Sequence, residues 1–400
     1  MCARRILPSG RGWPRRPAGN YGITGARRAR APTIRYPEEL PVSSRRDDID
    51  RARQSVASLL SCDPRDVAFA TSATDAWERA FWAFPWRSGD VVLTCRSEYV
   101  TNVLNLLAAR DRYGIQVRTI GDGSTGAIDL DDLRTQLTDP AVRLVAMSHV
   151  PTQGGLVNPA AEVGAACRAA GVPFLLDACQ SAGQIPLDVD ELCCDMLTAT
   201  GRKYLRGPRG TGFLYIDASL AQRLRPATSG GAVWSEPESY LLPDRAARFE
   251  SFERSIAGVL GLGAAVDYAL ELGLDAIEDR VTTLAEHLRQ GLSGIDGVAV
   301  RDLGSRRCGI VTFTVDGVDP IDVRDALHDQ RVQLWSTGAA FARIDLPSRG
   351  IESMVRASVH YLNTDEELDR TVNASWFEGR AVPLGSRIKH LDDRVAAAQD

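Results

Sequence analysis

Lys203 is one of only two lysines among 400 residues, and it stands in Thr200-Gly201-Arg202-Lys203-Tyr204, after an expected strand and before the turn-rich Gly207-Pro208-Arg209-Gly210. The other, Lys389, lies in a polar C-terminal stretch, and the remaining 45 of the 47 basic residues are arginines. A guanidinium stays charged, whereas a lysine amine can lose its proton and condense with an aldehyde, which is how pyridoxal 5'-phosphate is held in enzymes. Such chemistry needs an anion against the ring nitrogen, to keep the ring protonated and electron-accepting. Asp177, 26 positions earlier, is a candidate, with Gln180 placed to reach the phenolic oxygen. Taken alone, Asp177 could instead cap a following helix.

The elements that must position these groups read as buried strands. Val172-Pro173-Phe174-Leu175-Leu176 is an apolar run of strand length that delivers Asp177 at its C-terminal end, where open α/β sheets place ligands. Leu144-Val145-Ala146-Met147 likewise leads into Ser148-His149, and His149 is expected to stack on a flat heteroaromatic ring and to move protons. Val67-Ala68-Phe69-Ala70 leads into Thr71-Ser72-Ala73-Thr74-Asp75-Ala76, which reads as a polar turn opening a helix that runs through Trp77, Ala80, Phe81 and Phe84. Backbone amides at such a helix start can seat a phosphate, although an ordinary N-cap gives the same pattern.

Between about Asp50 and Glu367 these pieces together resemble the class V aminotransferase family, which includes cysteine desulfurases, selenocysteine lyases and isopenicillin N epimerase-like proteins. The most specific stretch runs from Leu175 to Tyr215, where aspartate, glutamine, serine/threonine, lysine and Gly-Pro-x-Gly follow in the family's order. The resemblance implies a pyridoxal-phosphate enzyme of fold type I: a large domain with a mixed, mostly parallel seven-stranded sheet flanked by helices, plus a smaller α+β C-terminal domain. It implies Lys203 as the Schiff-base lysine, Asp177 as the ring-nitrogen partner, Gln180 at the phenolic oxygen and His149 as the stacked ring. Ala73, Thr74 and Thr200 fall where the family binds phosphate. Ser97-Glu98-Tyr99 and Asn102 stand where many members carry Glu-His-His and an asparagine, and Asn102 is expected to contact substrate. Val355-Arg356-Ala357-Ser358-Val359-His360 looks like the closing motif, with Arg356 holding a substrate α-carboxylate. An amino-acid-type substrate and a homodimer follow from the same likeness.

Four features depart from the family pattern. Arg202 replaces the histidine that many members carry before the lysine, and it could still serve the phosphate. Arg248-Phe249-Glu250-Ser251-Phe252-Glu253-Arg254 replaces a Gly-Thr segment that a neighbouring subunit contributes. Between Val332 and Arg356 there is no cysteine, where desulfurases carry a catalytic one. The first 35 residues hold nine arginines and no acidic residue. The expected reaction is therefore β-elimination from an S-substituted cysteine without a catalytic cysteine; amino transfer, oxidative deamination and epimerisation remain open, as does a non-catalytic, partner-binding role.

Composition sets bounds on the rest. A 400-residue chain with 44% hydrophobic residues can bury one or two large cores. A formal charge of −5 and the lack of an apolar stretch of about 20 residues favour neither nucleic acid nor membrane, and a cytoplasmic enzyme is expected. Eight cysteines without a C-x-x-C pattern signal neither a zinc site nor a disulfide framework. The expected organisation is an arm at 1–35, a large domain at 36–270, a small domain at 271–372 and a polar tail at 373–400. Apolar spacing predicts one long helical stretch from Ile256 towards Leu292, linking the two domains.

Overall fold

A computed structural model describes residues 45–226 and 232–374; the expected arm at 1–35 and almost all of the expected tail, Lys389 included, lie outside the described residues. The first half of the chain alternates helix and strand: α1 (Arg46–Leu60), β1 (Val67–Ala70), α2 (Ala73–Phe81), β2 (Val91–Thr94), α3 (Val100–Tyr113), β3 (Gln116–Thr119), α4 (Leu130–Gln136), β4 (Val142–Ser148), α5 (Ala160–Ala170) and β5 (Phe174–Asp177). Then follow β6 (Met196–Thr200), β7 (Gly212–Ile216), α6 (Ala218–Arg223), and a hairpin of β8 (Val233–Glu236) with β9 (Ser239–Leu241).

Seven of these strands form one sheet in the order β3-β2-β4-β5-β6-β7-β1, parallel throughout except for β7. Both faces are covered, which explains the uninterrupted apolar runs. Within β5, Phe174 and Leu176 enter one core with α1, α5 and α7, while Leu175 enters the other with Trp77 and Phe81 of α2 and Leu106 of α3. Side chains alternate across a strand, so a fully apolar strand feeds both layers. Residues expected to continue α2 to Phe84 do not: the helix ends with Trp82 as its cap. Pro85 follows Phe84 and disfavours helical geometry there.

Parallel neighbours need a crossover, but β7 returns antiparallel, so a short loop joins it to β6. That loop carries Lys203. It is tied across its base by Gly201 N–H to the Thr211 carbonyl at 3.0 Å and stiffened by Arg206 N–H to the Lys203 carbonyl at 2.9 Å. Where β7 begins, Gly212 lies against the Ser72 turn; a Cβ there would approach the Ser72 carbonyl carbon to 2.5 Å. Glycine thereby lets the lysine loop and the start of α2 converge.

The second half begins with α7 (Ile256–Leu272) and α8 (Leu274–Ser293), and continues through β10 (Val298–Val300), β11 (Ile310–Val315), α9 (Pro320–Asp329), β12 (Trp335–Gly338), α10 (Asp345–Ser348), β13 (Ser353–Ser358) and α11 (Asp365–Val372). The single long helix expected here is instead two helices bent by 80°. Gly273 between them has φ +84°, a conformation that ends a helix. Strands β10-β11-β13-β12 form an antiparallel sheet. Its core joins Phe313 and Val355 to Leu284 and Leu288 of α8, Val323 of α9 and Leu368 of α11. Among the described residues no single helix is long and apolar enough to cross a membrane.

Candidate active site

The C-terminal ends of the parallel strands converge on one cleft of about 470 Å³. Ser72, Ala73 and Thr74 follow β1, Tyr99 follows β2, Ser148 ends β4, Asp177 ends β5, Thr200 ends β6, and Arg202 and Lys203 follow it. Val150, Thr152, Cys179 and Gln180 complete its lining. This is the position where open α/β sheets bind ligands. Ser72 caps α2 by accepting from Asp75 N–H at 3.0 Å, which leaves the first amides of the helix, from Ala73 and Thr74, directed at the cleft end.

Asp177 is 5% exposed, and burial raises its carboxyl pKa. Two donors oppose that shift: Asn102 Nδ2 to Oδ2 at 2.9 Å and Cys179 N–H to Oδ1 at 2.9 Å. Gln180, also buried, donates its amide to Thr152 Oγ1 at 3.1 Å. Thr200 Oγ1 donates to the Thr211 carbonyl at 3.0 Å, fixing the hydroxyl of a residue expected at the phosphate. Burial raises the thiol pKa of Cys179, and the adjacent Lys203 opposes that shift only in part.

Two expected site residues are placed elsewhere. His149 was expected to stack on the ring, but it is 2% exposed and does not line the cleft. It continues the line of β4, its N–H donating to the Asp177 carbonyl at 3.0 Å. Its neighbours Ser148 and Val150 both line the cleft, whereas His149, just past the end of β4, does not. Burial, with Arg306 nearby, lowers its pKa to about 3, which keeps it neutral and unsuited to carrying protons near neutral pH. The aromatic ring on the cleft wall belongs to Tyr99.

Asn102 was expected to touch substrate. It is 1% exposed, below the cleft, with its amide nitrogen given to Glu98 Oε1 and Asp177 Oδ2, each at 2.9 Å. The i,i+4 spacing of Glu98, just before the N-cap of α3, and Asn102 in its first turn was the signal for this pairing in the sequence.

Arg356 lies on β13 of the smaller sheet, opposite Thr312 and Trp335. It is partly buried beside Tyr204 and Cys308, its Nε has no hydrogen-bond partner, and burial lowers its pKa. Tyr204 immediately follows Lys203, so this guanidinium stands next to the lysine loop. Cys308 is 2% exposed, with its thiol pKa pushed up to about 11 by burial. Nearby, β12 and the turn Ala339–Phe341 present Trp335 and Phe341 at 63% and 58% exposure.

The site has the donor set that pyridoxal phosphate requires. A helix start and Arg202 suit a phosphate, a buried carboxylate with an open flank suits a ring N–H⁺, Tyr99 offers a flat wall and Lys203 an amine. Comparison with known proteins agrees. Residues 42–371 match the family model described as aminotransferase class-V. A probable cysteine desulfurase of Methanothermobacter thermautotrophicus is 30% identical over 327 residues, covering 80% of this chain and 81% of that protein. The apo structure of a cysteine desulfurase from Thermococcus onnurineus NA1 superposes with a TM-score of 0.77 at 26% identity, over 82% of this chain and 83% of that one. The cystine C–S lyase C-DES, solved with its product cysteine persulfide, superposes with a TM-score of 0.73 at 26% identity, over 83% and 86% of the two chains. The chain belongs to the class V aminotransferase family and is a pyridoxal-phosphate-dependent enzyme.

Proposed function

We propose that this enzyme is a carbon–sulfur lyase that removes the sulfur substituent of an S-substituted cysteine by β-elimination, with no enzyme thiol accepting the sulfur. The observation that carries the reading is the rim segment Trp335-Ser336-Thr337-Gly338-Ala339-Ala340-Phe341, which bears hydroxyls and aromatics where a persulfide-forming enzyme needs a thiolate. Thr337 is moreover spent on Gln153, to which its hydroxyl donates. The buried thiol of Cys308 remains protonated at neutral pH, so it makes a poor substitute. Likeness to a cystine C–S lyase supports the same reaction class.

Bound pyridoxal phosphate supplies a ring that accepts the electron pair left on the substrate Cα. Ala73, Thr74 and Arg202 would hold its phosphate, Asp177 its ring nitrogen and Gln180 its phenolic oxygen. Arg356 would take the substrate carboxylate, because a guanidinium without an ion pair among the described residues is matched by an arriving anion. That clamp would orient the substrate Cα for the Lys203 amine. Lys203 removes the α-proton. The Cβ–S bond then breaks with its electron pair on sulfur, and the thiolate takes up a proton as it leaves. Hydrolysis of the remaining three-carbon fragment would give pyruvate and ammonia.

The same reading takes the protein as a cytoplasmic homodimer with the domain division at 270/271. Val233, Trp234, Tyr240, Leu241 and Phe252 are exposed apolar residues of the kind a second copy covers. The test is incubation of the holoenzyme with S-alkyl cysteines. Equal amounts of pyruvate and thiol, with no sulfur on the protein, are expected. A keto acid retaining its side chain, or labelled sulfur lost on replacing Cys308 and Cys179, contradicts the proposal.

A further inference from the structure

Beneath Asp177 lies a second buried carboxyl that the chemistry above does not use. Glu98, 6% exposed, accepts from Ser148 Oγ at 2.6 Å, Tyr99 N–H at 2.7 Å and Asn102 Nδ2 at 2.9 Å on Oε1, and from Thr94 Oγ1 at 3.2 Å on Oε2. These donors come from the ends of β2 and β4 and the start of α3, so the carboxyl is held by three elements. The Asn102 nitrogen then gives one hydrogen to Glu98 and one to Asp177. Both partners are acceptors when ionised, so the chemistry itself fixes which end of the amide faces them.

We propose that Glu98 is a positioning residue for the cofactor: through Asn102 it sets the orientation of Asp177, and its ionisation strengthens the hold on a protonated ring. The proposal rests on Asp177 facing the ring nitrogen. Glu98 makes no ion pair with any described residue. Its ionisable neighbours are Asp177 on β5 and the buried Cys95 after β2; Lys203 lies beyond Asp177, Asp122 lies beyond Cys95, and the neutral His149 adjoins Ser148. Burial and the Asp177 charge raise the Glu98 carboxyl to about 7 in the free protein. A ring N–H⁺ brought against Asp177 reverses the balance, because a nearby cation favours the second carboxylate. The folded, cofactor-bound state thus has the lower Glu98 pKa, and binding expels a proton. Affinity therefore rises as pH rises from the bound-state pKa towards 7 and levels off above it. One proton per cofactor limits the slope to about tenfold per pH unit.

The experiment measures the Kd of the refolded or dialysed apoprotein for pyridoxal phosphate from about pH 5.5 to 8.5, for wild type, Glu98→Gln, Ser148→Ala and Asp177→Asn. Glutamine mimics the protonated carboxyl and keeps the hydrogen-bond acceptor, while the wild-type to variant ratio cancels titration of the cofactor's own groups. The two Kd values should agree at the acid end, with wild type binding several-fold more tightly at the alkaline end. A ratio that is constant with pH, or that favours Glu98→Gln at high pH, overturns the proposal. Ser148→Ala removes a donor that lowers the Glu98 pKa, so the midpoint of the wild-type rise should move to higher pH. An unmoved midpoint counts against Glu98, and this holds even if Glu98→Gln does not fold. Asp177→Asn separates the two ideas. If it leaves Kd unchanged, the placement of the ring nitrogen is wrong; if it weakens Kd while Glu98→Gln behaves as wild type, only the role of Glu98 fails.

Discussion

The floor and the rim of the cleft are built on opposite principles. On the floor, Asp177, Asn102, Glu98 and Ser148 are all buried, and each is held by hydrogen bonds from neighbouring strand ends. On the rim, Trp335 and Phe341 stand exposed, and Arg356 has a guanidinium Nε without a partner. Groups fixed before binding favour a cofactor that is always the same, because no ordering cost falls on each turnover. Unsatisfied and exposed groups suit a ligand that comes and goes. The floor therefore sets the chemistry that is shared with the family, and the rim sets what this chain does with it.

This contrast can be broken at either region. Lys203→Ala strikes the floor hardest: turnover should fall by at least about 10⁴-fold, while some pyridoxal phosphate remains bound without a covalent link, which visible spectra and a steady-state assay report. Asp177→Asn preserves shape but removes the charge opposite the ring nitrogen, and a loss of roughly 10²- to 10³-fold in kcat is expected. Near-normal turnover in folded Asp177→Asn would remove the aspartate from the mechanism. At the rim, Arg356→Lys should raise KM by about ten- to a hundredfold with a smaller change in kcat, since an ammonium cannot reproduce two parallel hydrogen bonds. An unchanged KM would place the carboxylate elsewhere. Tyr99→Ala should weaken cofactor binding by at most about tenfold, the range of one aromatic contact. Cys308→Ala should be the mildest, with product formation and sulfur partition unaltered; a lost persulfide signal would make this protein a desulfurase.

Much of the cleft lining was legible in the sequence because strand ends announce themselves. Apolar runs of four or five residues followed by a polar turn placed Ala73, Thr74, Asp177 and Gln180 on one edge of a sheet, the motif around Lys203 added the amine, and the structure brings those residues to one cleft. The limits of such reading are equally physical. A run does not say which side chain just past a strand end faces the ligand: Ser148 and Val150 line the cleft, and His149 between them does not. The contact of Asn102 with Glu98 shows in the sequence only as an i,i+4 spacing, which gains meaning once α3 is known to begin at Val100. The break at Gly273 was hidden because a glycine inside an apolar helical pattern has no fixed meaning until its φ is known. In the smaller sheet, β10 and β12 are short and partly exposed, so they lack the apolar run that marks a buried strand.

The floor is the foundation of the account, and Lys203 is its most direct test. The enzyme loaded with pyridoxal phosphate is reduced with borohydride, digested and mapped, with Lys389 as the sole other lysine side chain able to carry the label. The account predicts the reduced cofactor on the peptide containing Lys203, with the visible absorbance abolished. Label confined to Lys389, or no label on cofactor-loaded protein, would contradict it.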